Sequence, residues 1–116
     1  MCDKVREIGF ALHKSLGPGL REKLYEQGIC HRLMKAGIQL VSQPQIEVLD
    51  EDHTLLATGQ LDLVVEDVLV IQWKAAEQIH DIHIAQLLGY LKATLLRHGL
   101  LMNFGAAKFQ IKKYVF

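Results

Sequence analysis

The chain has 116 residues, half of them hydrophobic and 22% charged, with 13 lysines and arginines against 13 aspartates and glutamates. That length fits one domain over residues 1–116, and the apolar content excludes a disordered chain and allows a sizeable core without staples. A net charge of zero excludes a nucleic-acid binder that relies on overall positive charge, leaves local basic patches open, and puts no long-range repulsion in the way of self-association.

The first ten residues carry Asp3, Lys4, Arg6 and Glu7 and hold no apolar leader core. Val5, Ile8, Leu12 and Leu16 recur at helical spacing and predict a helix over Asp3–Leu16, with Asp3 as its cap. Gly17-Pro18-Gly19 stops it. A second helix is expected over Leu20–Ala36, with the stripe Leu20, Leu24, Ile29 and Leu33 inward and Gly37 after its end. Ile38, Leu40, Ile46, Val48 and Leu49 read as extended chain broken at Pro44, and Asp50-Glu51-Asp52-His53 as a hairpin turn. Leu61–Val65 is the next expected strand, and Glu66-Asp67 a tight turn. Val68–Trp73 is apolar almost throughout, as a central strand covered on both faces would be. A third helix fits Ile82–His98, with Ile84, Leu87, Leu88, Leu91 and Leu95 on one side and Gly99 ending it. Leu100–Phe104 and Phe109–Phe116 complete the strands. The expected fold class is α/β, a single mixed β-sheet flanked by helices. No window approaches the roughly 20 apolar residues of a membrane span. Cys2 and Cys30 lack metal-type spacing and read as unpaired thiols, so a soluble, cytoplasmic protein is expected.

Asp62 interrupts an apolar strand, and Gln72 and Lys74, two apart on the next one, share a face. A short turn brings Asp62 beside that pair. Burying such groups is costly unless they are paired or bind an ion. Two readings stay open. One is a structural Asp62–Lys74 ion pair. The other is a site where Asp62 and the Gln72 oxygen, helped by a backbone carbonyl, hold a hard cation such as magnesium while Lys74 handles water or phosphate. Gln86 and Tyr90 are four apart on the third helix and face one way, toward a phosphate or simply as an edge of the core. Glu22 and Tyr25 follow the glycine turn, and Glu22 also suits the start of a helix dipole. His80 and His83 lack partners at zinc spacing, while His83, three before Gln86, is expected to line the same cleft. His13, His31, His53 and His98 are expected on the surface. Gly17-Pro18-Gly19 lacks the lysine and hydroxyl of a phosphate loop.

The string Leu16-Gly17-Pro18-Gly19-Leu20 with Glu22 and Tyr25, then Asp62, Lys74-Ala75, the run Gln86 to Lys92 and Gly99 to Gly105, resembles the bacterial GxxExxY proteins. That family is grouped with the PD-(D/E)XK nuclease-like superfamily. Gly59-x-x-Asp62 and Gln86-x-x-x-Tyr90 also resemble its RecB-like branch. The resemblance implies a restriction-endonuclease-like core and a metal-dependent nuclease that hydrolyses phosphodiester bonds of nucleic acid. It implies Asp62, Gln72 and Glu22 as ligands of magnesium or manganese, Lys74 assisting hydrolysis, and Gln86, Tyr90 and Tyr25 orienting substrate. Gln72 departs from the pattern, which usually has glutamate there. An amide ligates through its oxygen but brings no charge, so weaker metal binding is expected. The alternative is a catalytically degenerate module serving nucleic-acid binding or protein assembly.

Phe109–Phe116 reads as an edge strand open to a second copy, partly guarded by Lys112 and Lys113. A homodimer through this strand or the first helix is therefore expected, with no membrane partner.

Overall fold

A computed structural model describes residues 1–116. Two helices come first: α1 (Cys2–Leu16) and α2 (Glu22–Lys35). Five strands follow: β1 (Leu40–Ser42), β2 (Gln45–Leu49), β3 (Leu55–Gln60), β4 (Leu63–Val65) and β5 (Leu69–Lys74). The chain ends with α3 (Asp81–Thr94), β6 (His98–Asn103) and β7 (Gln110–Val115). No helix is long and apolar enough to cross a membrane.

The main sheet has the order β1-β4-β5-β6-β7. Only β5 and β6 run parallel, and α3 supplies the crossover that a parallel pair needs. Strands β2 and β3 form a separate two-stranded sheet instead of extending the main one. They leave it where the chain turns at Gln43, which has φ 53°, and they return at Leu61, whose N–H donates to the Pro44 carbonyl.

Alternation along β5 builds two cores. Leu69, Ile71 and Trp73 face α1 and α2, where they join Leu63, Val65, Leu100, Met102 and Phe104 against Val5, Leu12, Ile29 and Leu33. Val70 faces the other way and joins Val64, Leu61 and Leu101 under Leu87 and Leu91 of α3. Fully burying each such aliphatic side chain stabilises by about 1.5–3 kcal/mol.

Several local expectations are corrected. Asp3 does not cap α1, since Met1 occupies that place and no side chain bonds there. Leu20 belongs to the bend and Arg21 is extended before α2, so the helix begins two residues late, Leu24 is exposed, and Tyr25 takes its place in the core. Helix α3 ends at Thr94 because Leu95 turns left-handed at φ 61°, which leaves Leu95 86% exposed. Gly99 does not stop this helix. It lies in β6, where an added Cβ would sit 3.1 Å from the Leu87 and Leu91 methyls, so the glycine is needed for α3 to pack on the sheet. His13 is buried, with Nε2 2.8 Å from the Ala106 carbonyl and Phe104 and Phe109 around the ring.

Candidate active site

The break between β3 and β4 positions Asp62. Leu61 belongs to the core under α3 and Leu63 to the core under α1 and α2, so the chain steps from one face to the other at Asp62. The Trp73 N–H donates to Asp62 Oδ2 at 2.9 Å, and the Asp62 N–H donates to Gln72 Oε1 at 2.6 Å. Asp62 is therefore tied to both Gln72 and Trp73 of the neighbouring strand. Gln72 is buried, and the bond from Asp62 satisfies its oxygen. Asp62 opens onto a cavity of about 480 Å³ that Glu22, Lys23, Glu26, Gln27, Gln43 and Trp73 also line.

Charge in this cavity is unbalanced. Burial pushes the Asp62 carboxyl up to about 6, and the negative charges of Glu22 and Glu26 act in the same direction. The Trp73 N–H and the Lys74 ammonium oppose them. Lys74, the last residue of β5, is half-buried. It makes no ion pair with Asp62, because the single salt bridge in the molecule joins Lys4 to Glu7 at 3.9 Å. The structural ion-pair reading is thus overturned: Lys74 is near enough to act on Asp62 through its field, and its nitrogen remains free.

Glu22 opens α2, and its charge acts on both Asp62 and His83. Glu22 at the start of α2, His83 at the start of α3 and Lys74 at the end of β5 are therefore within electrostatic reach of one another. His83 lies in the first turn of α3, where its Nδ1 accepts the His80 N–H at 3.1 Å. Desolvation holds its ring below the ordinary value, with Lys74 and His80 adding to the effect and Glu22 opposing it.

The other expected site residues lie differently. Gln86 donates from Nε2 to the Tyr90 hydroxyl at 3.2 Å, and Tyr90 packs against the core under α3. Neither hydrogen-bonds to Asp62, Gln72 or Lys74. Tyr25 does not line the cavity. It is fully buried and stacks on Phe104 at 4.7 Å, and its hydroxyl donates to the Gly17 carbonyl at 2.6 Å and accepts the Leu20 N–H. Its contribution is to hold the turn from which Glu22 emerges. Asn103 escaped the sequence reading, although a lone amide in the apolar run Leu100–Phe104 was a signal. It is fully buried and bonds to the chain just beyond Lys74.

The donor set tests whether a divalent cation fits. No three histidine, cysteine or acidic side chains come together as a metal-binding group. The cavity offers three carboxylates, Asp62, Glu22 and Glu26, and the neutral oxygen of Gln72 lies against the Asp62 backbone. Asp62 Oδ1 makes no hydrogen bond, and its ionised form is disfavoured by burial and by two acidic neighbours. An all-oxygen, cation-seeking arrangement fits magnesium or manganese with waters completing the shell, and it does not fit zinc.

A mixed sheet with one parallel pair, helices on both faces, and an aspartate beside a Gln-x-Lys strand end defines a nuclease-like α/β domain. The chain belongs to the PD-(D/E)XK nuclease superfamily, whose family model matches residues 1–114. The solved structure titled "Crystal structure of SSO0001" shares the fold with a TM-score of 0.64 at 14% identity, over 80% of this chain and 49% of that one. The present chain thus spans about half the length of that structure. Among curated proteins no sequence matches.

Proposed function

We propose that this chain is a magnesium- or manganese-dependent nuclease that hydrolyses phosphodiester bonds of nucleic acid. The observation that carries the reading is the Asp62 carboxylate, half-buried, unpaired and pushed up to about 6, beside Glu22 and within the field of a free Lys74. Asp62 and Glu22 hold the cation, with the Gln72 oxygen as a neutral third donor. When bound, the metal polarises the phosphate and lowers the pKa of a water. Lys74 donates to a non-bridging phosphate oxygen or holds the attacking water. Gln86 and Tyr90, already bonded to each other, orient the substrate along α3.

One observation favours a second reading. The Gln72 oxygen, which carries no charge, is already engaged by the Asp62 N–H at 2.6 Å. A module that binds nucleic acid without cutting it fits that feature.

Incubation with single- and double-stranded DNA and RNA in magnesium or manganese separates the two. The nuclease reading predicts cleavage that a chelator stops and that Lys74→Met and Asp62→Asn abolish. Binding to any of these without cleavage supports the second reading, and neither binding nor cleavage overturns both.

A further inference from the structure

Strand β6 is apolar inside except at its end. Leu100, Leu101 and Met102 are fully buried hydrophobics, and Asn103, also fully buried, follows them. A buried carboxamide persists only where its hydrogen bonds are met. Asn103 Oδ1 accepts the Ala76 N–H at 3.1 Å and the Gly105 N–H at 3.0 Å, and Nδ2 donates to Gln110 Oε1 at 2.8 Å. None of these bonds serves either core. Ala76 belongs to the segment that leaves β5 and leads to α3.

Asn103 is the register partner of Lys74 on the parallel neighbour strand. The Phe104 N–H donates to the Lys74 carbonyl at 2.8 Å. The carbonyl of Lys74 and the amide of Ala76 are therefore both fastened to the end of β6, with one residue between them. Gly105 closes the buckle from below, since a Cβ there would collide with the backbone of Ala75 and Ala76. Beyond the same segment lie His80 and His83 at the start of α3.

We propose that Asn103 is the positioning residue of the site: its carboxamide fixes the chain just after Lys74 and so sets where the Lys74 ammonium points. The inference rests on the nuclease reading for its consequence in catalysis, and on geometry alone for its effect on Lys74. A leucine of similar size would satisfy the apolar strand and would leave the Ala76 and Gly105 N–H groups without their acceptor. An aspartate would keep both acceptor bonds.

Two variants test this, Asn103→Leu and Asn103→Asp. Misplacing a catalytic group by about 1 Å costs on the order of a hundredfold in rate. Asn103→Leu is expected to lower kcat by about that much with KM and manganese affinity unchanged, and Asn103→Asp to recover most of the rate. A general loss of folding would move KM and metal affinity together with kcat, and that result overturns the proposal. So does a wild-type kcat in Asn103→Leu.

Labelling of Lys74 by a small acylating ester, read by peptide mass spectrometry, and amide exchange at Ala76 do not require any nuclease activity. Both are expected to change in Asn103→Leu and to stay near wild type in Asn103→Asp. Absence of cleavage by the wild type would remove the nuclease reading, and these two readouts would still decide the positioning role. Gln110→Leu, on the edge strand, removes the group that orients the carboxamide and reads the same property in milder form if Asn103→Leu does not fold. Unchanged Lys74 labelling in the variants that fold overturns the inference.

Discussion

The two halves of β5 differ sharply although they are one strand. Leu69, Val70 and Ile71 are fully buried, with nothing polar beyond the backbone, and the ladder to β4 and β6 satisfies that backbone. Gln72, Trp73 and Lys74 lie at the opening toward Asp62, and here the polar groups are satisfied across strands by a carboxylate and an amide. The first half gains from burial. The second half places a carboxylate where burial and two acidic neighbours work against its charge. A fold stable enough on one side can carry a destabilised group on the other, which is the usual relation between a scaffold and a site.

Substitutions in the first half and at the carboxylate that the second half holds should therefore move stability in opposite directions. The largest effect is expected from Ile71→Ala, which opens a cavity among the residues facing α1 and α2. It should cost about 2–5 kcal/mol in a denaturant melt. Asp62→Asn is expected to act the other way. A carboxylate raised from 3.8 to about 6 in the folded state holds its proton more tightly than in the unfolded chain. The Asp62 contribution to stability is then greatest at low pH, falls as pH rises from about 4 to about 6, and stays reduced above that. The difference corresponds to roughly 3 kcal/mol, or about 2 after allowance for partial exposure. Metal-free Asp62→Asn should be more stable than wild type by about that amount at pH 7, with the fall between pH 4 and 6 gone. A melt showing Asp62→Asn to be less stable would erase the contrast.

Gln72→Glu sharpens the comparison further. It adds a further carboxylate to those of Glu22 and Glu26 around Asp62, so manganese binding should tighten by about tenfold, while the metal-free protein loses stability to like-charge repulsion. The smallest effect is expected from Tyr25→Phe. It removes the bonds to Gly17 and Leu20 and leaves the stack on Phe104. About 1 kcal/mol of stability should be lost, with no change in metal affinity by calorimetry.

Much of this was legible in the residues. The apolar run ending at Trp73 marks a central strand, and Asp62 beside Gln72 and Lys74 follows from the short turn at Glu66-Asp67. The mixed sheet with helices on it and the superfamily were likewise readable. What escaped depends on tertiary contact. The phase of α2 is set by the Gly17–Gly19 turn and the Tyr25 hydroxyl, so a stripe through Leu24 looked as good as one through Tyr25. Gly99 looks like a helix stop until the Leu87 and Leu91 methyls are seen against it. The β2–β3 hairpin alternates like any other, and nothing local says that it leaves the main sheet. Asn103 bonds to Ala76, 27 positions earlier, and no periodicity reports a partner that distant.

The central claim is that Asp62 anchors a cation site. Calorimetric titration of manganese into wild type and Asp62→Asn between pH 5 and pH 8 tests it most directly. The account predicts binding to the wild type that sets in as pH rises through about 6, where the carboxyl ionises, and no binding to Asp62→Asn at any pH. Absence of binding to the wild type throughout, or equal binding to both proteins, would contradict it.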